Sequence, residues 1–139
     1  MELVETFDYL MQVRKKDNAI RRMTMKCEEL RSCLLPGAIR YDKDRVQSSP
    51  EDKVSEILCK VADLETQIEQ FQQEKAMLII EIGDAIELLE DDNEKMVLTE
   101  FYIGRVPMSR VANDVSYSIQ HAYRLRKRGV QHLGEVLHG

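Results

Sequence analysis

The sequence predicts an all-α chain in which a long N-terminal antiparallel helical hairpin, coiled-coil-like, is followed by a small helix-turn-helix domain. Three observations predict it. Apolar residues make up 43% of the 139 residues and charged residues 32%, with only 6 Gly and 3 Pro, and few β-branched residues alternate with polar ones. Two long segments repeat apolar residues at steps of three and four, the spacing that lines one face of a helix. The last forty-nine residues carry the steric pattern of two short-linked helices. A chain of this length fits one domain, or a small domain joined to an extended element.

The first helix is expected over about residues 2–35, where Val13, Ile20, Met23, Cys27, Leu30 and Leu34 form the stripe. Lys15-Lys16-Asp17-Asn18 interrupts it, which predicts a shift of the seam or a local kink. Pro36-Gly37 ends the helix. Cys27, Cys33 and Cys59 are odd in number and lack Cys-x-x-Cys spacing, and their apolar neighbours make them reduced core residues. The polar stretch that follows, Arg40 to Ser49, has two readings: ion pairs of Arg40, Arg45 and Asp44 that tie the long helices together, which is favoured, or a partner contact.

Ser49 as N-cap and Pro50 at the first helical position open a second helix over about residues 50–90. Val54, Ile57, Val61, Leu64, Ile68, Phe71, Lys75, Leu78, Ile82, Ala85 and Leu89 make a heptad seam broken only by Lys75. So long a seam needs a partner, and the first helix folded back is the nearest. Residues 1–90 thus read as the hairpin and 91–139 as the second domain. Leu58, Ile79, Ile80 and Ile86 widen the stripe and leave room for self-association with a second hairpin.

Charge is segregated. Residues 51–100 hold 15 acids against 4 lysines, whereas residues 105–139 hold 6 basic residues against 2 acids. The net charge of −5 therefore hides a basic C-terminal piece fit to contact phosphate and an acidic middle that would point away from it. No apolar stretch is long enough to span a membrane, and the start of the chain lacks the order of a secretory signal, so a cytoplasmic protein is expected.

Asp91-Asp92-Asn93-Glu94 reads as a capping box, with the Glu94 side chain reaching back to the Asp91 backbone. The helix it opens runs to Gly104, where glycine would supply the left-handed residue that ends it. From Met108 to Lys127 a helix-turn-helix pattern asks for an alanine at the tight crossing and apolar residues around it. Val111, Ala112, Val115, Tyr117, Ala122 and Leu125 supply them. Ser116 stands in the turn where glycine is common, and Ser118 is placed to cap the second helix.

That helix would expose Ser118, Ile119, Gln120, Tyr123, Arg124 and Lys127 to a major groove. Gln suits adenine, Arg suits guanine or phosphate, Ile119 suits a thymine methyl, and Tyr123 suits phosphate. Arg126, Lys127 and Arg128 would mainly anchor the DNA backbone. A basic helix is more often a solvated face, and only its place beside the two-helix pattern makes these residues a DNA-binding set.

Leu98-Thr99-Glu100-Phe101-Tyr102, Ser109-Arg110-Val111-Ala112, Tyr117-Ser118 and the basic helix to Leu133 resemble region four of the sigma factors. Arg40 to Pro50, ahead of a long acidic helix, resembles a phage and prophage family of Gram-positive bacteria known as sigma-like or ArpU-type transcriptional regulators. The resemblance implies a phage-type regulator of transcription with region four as its DNA reader. Two departures accompany it. Gly129 stands where sigma recognition helices usually have alanine, at a cost of about 1 kcal/mol of helix propensity and with room for a bend. With no Trp and 8 aromatics, nothing resembles the promoter-melting region, so a complete sigma factor is not expected.

No enzyme is expected, and no cofactor or metal. His121, His132 and His138 lack zinc-enzyme spacing, neither a P-loop nor a nucleophile elbow is present, and Asp91 to Glu94 lacks the glycine and distal glutamate of a calcium loop. Double-stranded DNA is the expected partner. Two rivals stay open: a DNA-packaging protein like the phage small terminase subunits, and a coiled-coil adaptor whose C-terminal helices bind protein such as RNA polymerase.

Overall fold

In a computed structural model that describes residues 1–35 and 50–138, the chain is all-α. Helices hold 85% of the described residues and no strand occurs among them. Helix α1 spans Leu3–Ser32 and α2 spans Pro50–Ile86. α3, Asp92–Leu98, runs on into a π-helical turn, Thr99–Ile103, and α4, Met108–Asp114, and α5, Ile119–His138, follow. Among the described residues no helix is long and apolar enough to cross a membrane. The expected stop at Pro36-Gly37, the Ser49 cap and both readings of Arg40 to Ser49 lie outside the described residues.

The described chain forms two compact units. One joins Met1–Lys16 to Glu74–Gly139, and the other is Asp17–Gln73. In the first, the opening turns of α1 run antiparallel to the closing turns of α2. Tyr9 faces Glu81, and Lys16 Nζ donates to Glu74 Oε2 at 2.7 Å. Leu10 and Val13 are fully buried there with Ile82, Ile86, Leu98, Tyr102 and Leu133, so both long helices and the C-terminal helices share one core. In the second unit Met23, Cys27 and Leu64 make the core, flanked by Leu30, Ile68 and Phe71, and Arg31 pairs with Glu65 at the surface.

Every position of the seam on α2 from Val54 to Lys75, and on through Leu78, Ile82, Ala85 and Leu89, is buried or half-buried. The stripe of α1 is likewise. At Lys15 to Asn18, where a shift of the seam or a local kink is expected, α1 continues without a break, Asp17 is buried, and the two compact units divide between Lys16 and Asp17. The second division, between Gln73 and Glu74, falls beside Lys75. The polar interruptions of both stripes thus stand where one core gives way to another. Of the cysteines only Cys27 is a core residue; Cys33 and Cys59 are exposed, because they fall off the buried face. Among the widening residues Ile86 is fully buried and Ile79 packs against the same core, whereas Leu58 and Ile80 are exposed.

Candidate nucleic-acid interface

The interface begins with the start of α3. Asp91 Oδ1 accepts from the backbone N–H of Asn93 at 2.8 Å and of Glu94 at 3.2 Å, the helix start expected from the sequence. Glu94 does not complete a reciprocal box. Its carboxylate is 2% exposed and meets His132 Nδ1 of α5 at 2.9 Å. A buried carboxylate needs a charged or donating partner more than a frayed N–H needs an acceptor. The hydrogen bond that His132 donates to Glu94, with the charges of Glu94 and Glu135, raises the His132 pKa above its ordinary value against the opposing effects of desolvation and Arg128.

α3 and α5 pack closely. A Cβ on Gly129 would come within 3.2 Å of the Leu98 side chain, so this glycine serves close approach of two helices, and α5 is continuous through it. At the end of α3 the chain widens by one residue. The Gly104 N–H donates to Thr99 O five residues back at 2.9 Å, and Val106 N–H donates to Glu100 O at 2.9 Å. The expected left-handed glycine is displaced: Gly104 has φ −79°, and Arg105 takes the positive φ of 54°. Glycine is required at 104 for another reason, since a Cβ there would lie 2.9 Å from Glu100 O.

α4 and α5 are seated by one small core: Val97, Met108, Val111, Ala112, Ala122 and Leu125, with Phe101, Val106 and Val115 around it. Between the helices Ser116 has φ 61°, the left-handed region that makes glycine common there. Tyr117 N–H reaches back to Ala112 O at 3.0 Å, which closes the turn. Ser118 caps α5 as expected, its Oγ accepting from the His121 N–H at 3.2 Å. Tyr117 departs from the apolar pattern: it is 45% exposed and lies against the His121 ring at 4.3 Å instead of entering the core. With a left-handed residue before it, its side chain leaves the turn outward.

On α5 the buried positions are Ala122, Leu125, Gly129, Val130, Leu133 and Gly134. Gln120, Arg124 and Lys127, all exposed, stand opposite at steps of four and three, and Gln131 extends the row by one turn. Gln131 is not among the residues expected from the sequence, although the same spacing points to it. Ser118, Ile119, Tyr123 and Arg128 are also exposed. Ile119 lies about 100° around the helix from Gln120, at the edge of the row. Arg128 lies on the other flank, where it lines a hollow with Glu90, Asp91, Glu94 and Glu135.

Arg126 is half-buried. Its guanidinium lies 4.5 Å from the Phe101 ring centroid and 4.9 Å from that of Tyr123. Arg14 of α1 lies over the same Phe101 ring at 4.0 Å, and its Nε and Nη2 donate to Phe101 O at 3.2 and 3.0 Å. Burial first, then the charges of Arg105 and Arg126, lower the Arg14 pKa. No sequence signal linked Arg14 to this region, 87 residues away. Beside the turn, burial and then the hydrogen bond to Asp114 and its charge push the Glu100 carboxyl above its ordinary range, with Arg110 opposing. Among the described residues no group of three His, Cys, Asp or Glu is placed to hold a metal ion.

Residues 37–134 match the protein family described as a protein of unknown function (DUF1492), and the chain belongs to that family. No curated protein and no solved structure matches it.

Proposed function

We propose that this family member is a sequence-specific DNA-binding regulator of transcription, of the phage or prophage type and built like sigma region four, that reads duplex DNA through α5. The observation that carries the reading is the exposed row Gln120, Arg124, Lys127 and Gln131 on a capped helix whose opposite face is locked to α3 and α4. Side chains of these types pair with base edges in a major groove, and a rigid seat holds them at a fixed angle to it. The basic residues after Gly104 attract phosphate, while the acids of α2 do not.

Selection of bound sequences from random duplex DNA tests specificity, and the expected result is one enriched site that maps to a promoter. Affinity for that site should fall steeply with salt. Arg124→Ala combined with Lys127→Ala should weaken it by more than about tenfold. Unchanged affinity in the double variant would remove α5 as the reader.

A further inference from the structure

We propose that Arg14, Arg105 and Arg126 form a second DNA contact, a phosphate-backbone site at one edge of the α5 reading face, to which the N-terminal helix α1 contributes. This rests on the DNA-binding reading and extends it from Arg126 to Arg14 and Arg105, outside the helix-turn-helix.

Two guanidinium groups from opposite ends of the chain, on α1 and α5, converge on Phe101. Arg14 and Arg126 each lie over its ring, at 4.0 and 4.5 Å, and Arg105 is near enough for its charge to act on Arg14. Arg14 is held by a ring face and by the Phe101 carbonyl. That carbonyl is exposed to it because the helix ends there in a wide turn, and the last carbonyls of a helix need outside donors. The held guanidinium keeps three of its five N–H donors for another acceptor. Arginine stacked by its face still presents a flat edge of donors, the geometry that suits a phosphate. The charges of Arg14 and Arg126, held over one ring, repel each other, and an anion that joins them relieves the repulsion.

The place of the cluster also fits a backbone contact. Tyr123, 46% exposed and next to Arg124 in the sequence, lies against Arg126, and Phe101 lies against both Arg126 and Arg14. A helix in a major groove has a phosphate row along each side. The opposite flank of α5 is lined by Glu90, Asp91 and Glu135 beside Arg128, so it repels a phosphate row more than it attracts one. The asymmetry selects the Arg14 side for the backbone contact.

The test uses the full chain, a duplex of random sequence, and fluorescence anisotropy between about 50 and 200 mM salt. Arg14→Gln removes the charge and keeps a donor for Phe101 O. It should weaken binding by about threefold to tenfold and lower the slope of log affinity against log salt by about one. Arg14→Lys should restore the slope, and Arg105→Gln should lower it again. A role confined to holding Phe101 would leave the slope of Arg14→Gln unchanged, and that result overturns the proposal. If the wild-type chain binds duplex DNA and loses affinity in Arg124→Ala with Lys127→Ala, yet Arg14→Gln and Arg105→Gln keep the wild-type slope, the reading of α5 stands and this site falls. A wild-type chain without salt-sensitive affinity for duplex DNA overturns both.

Discussion

Ser116 holds a φ of 61° in the turn between α4 and α5, where a residue with a Cβ is disfavoured by about 1–2 kcal/mol. Glycine there should stabilise the unit, less what the unfolded chain gains in freedom. Ser116→Gly is expected to raise the melting temperature by roughly 2–5 °C, and Ser116→Val to lower it. Circular dichroism melting checks both. The Glu94–His132 pair makes a second residue-scale prediction. Because His132 has a folded-state pKa above its ordinary 6.5, the stability it adds is complete below that value and is lost as pH rises through the raised one. The melting temperature should therefore decline from about pH 6 to pH 8 in the wild type. His132→Gln, which keeps a donor for Glu94 but does not titrate, should flatten that decline. Equal declines in both proteins would remove the pair as the cause.

Among the elements, the seat of α5 depends on how closely two helices approach. Ala112 is 3% exposed in the small core with Val111, Ala122 and Leu125, and a larger side chain there has no free volume. Ala112→Leu should cost about 1–3 kcal/mol and weaken the proposed DNA binding beyond its effect on stability, because it tilts α5 from its seat. Affinity measured well below the melting temperature separates the two effects. The elements were largely legible in the sequence. Stripes of three-four spacing gave α1 and α2, Asp91 marked the start of α3, and Ser118 marked the start of α5. Legibility failed where one residue has two possible partners. The sequence places Glu94 at its own helix terminus, since nothing local points to His132, 38 residues on. The sequence points to Gly104 for the left-handed turn that Arg105 takes, because the π-helical turn between Thr99 and Ile103 leaves no mark in the apolar spacing.

For the whole molecule, the core of the unit that carries α5 includes residues from the far end of the chain. Leu10 and Val13 of α1 and Ile82 and Ile86 of α2 are fully buried with Leu98, Tyr102 and Leu133. Leu10→Ala should then cost about 2–5 kcal/mol. A fragment of residues 91–139, the domain drawn from sequence alone, lacks all four long-helix residues and should not unfold cooperatively, whereas the full chain should. Cooperative melting of that fragment would show that α1 and α2 are dispensable to it.

Period and punctuation are local properties, and they determined on their own that the chain is helical, which face of each long helix is buried, and which side chains of α5 point outward. Partnership between residues far apart is not local. Only the tertiary structure decided that Met1–Lys16 shares a core with α5, that Glu94 pairs with His132, and that Arg14 meets Arg126 on Phe101. The physical reason is that a helical stripe specifies that a face must be covered, while the identity of what covers it depends on shape and charge brought together by the folded chain.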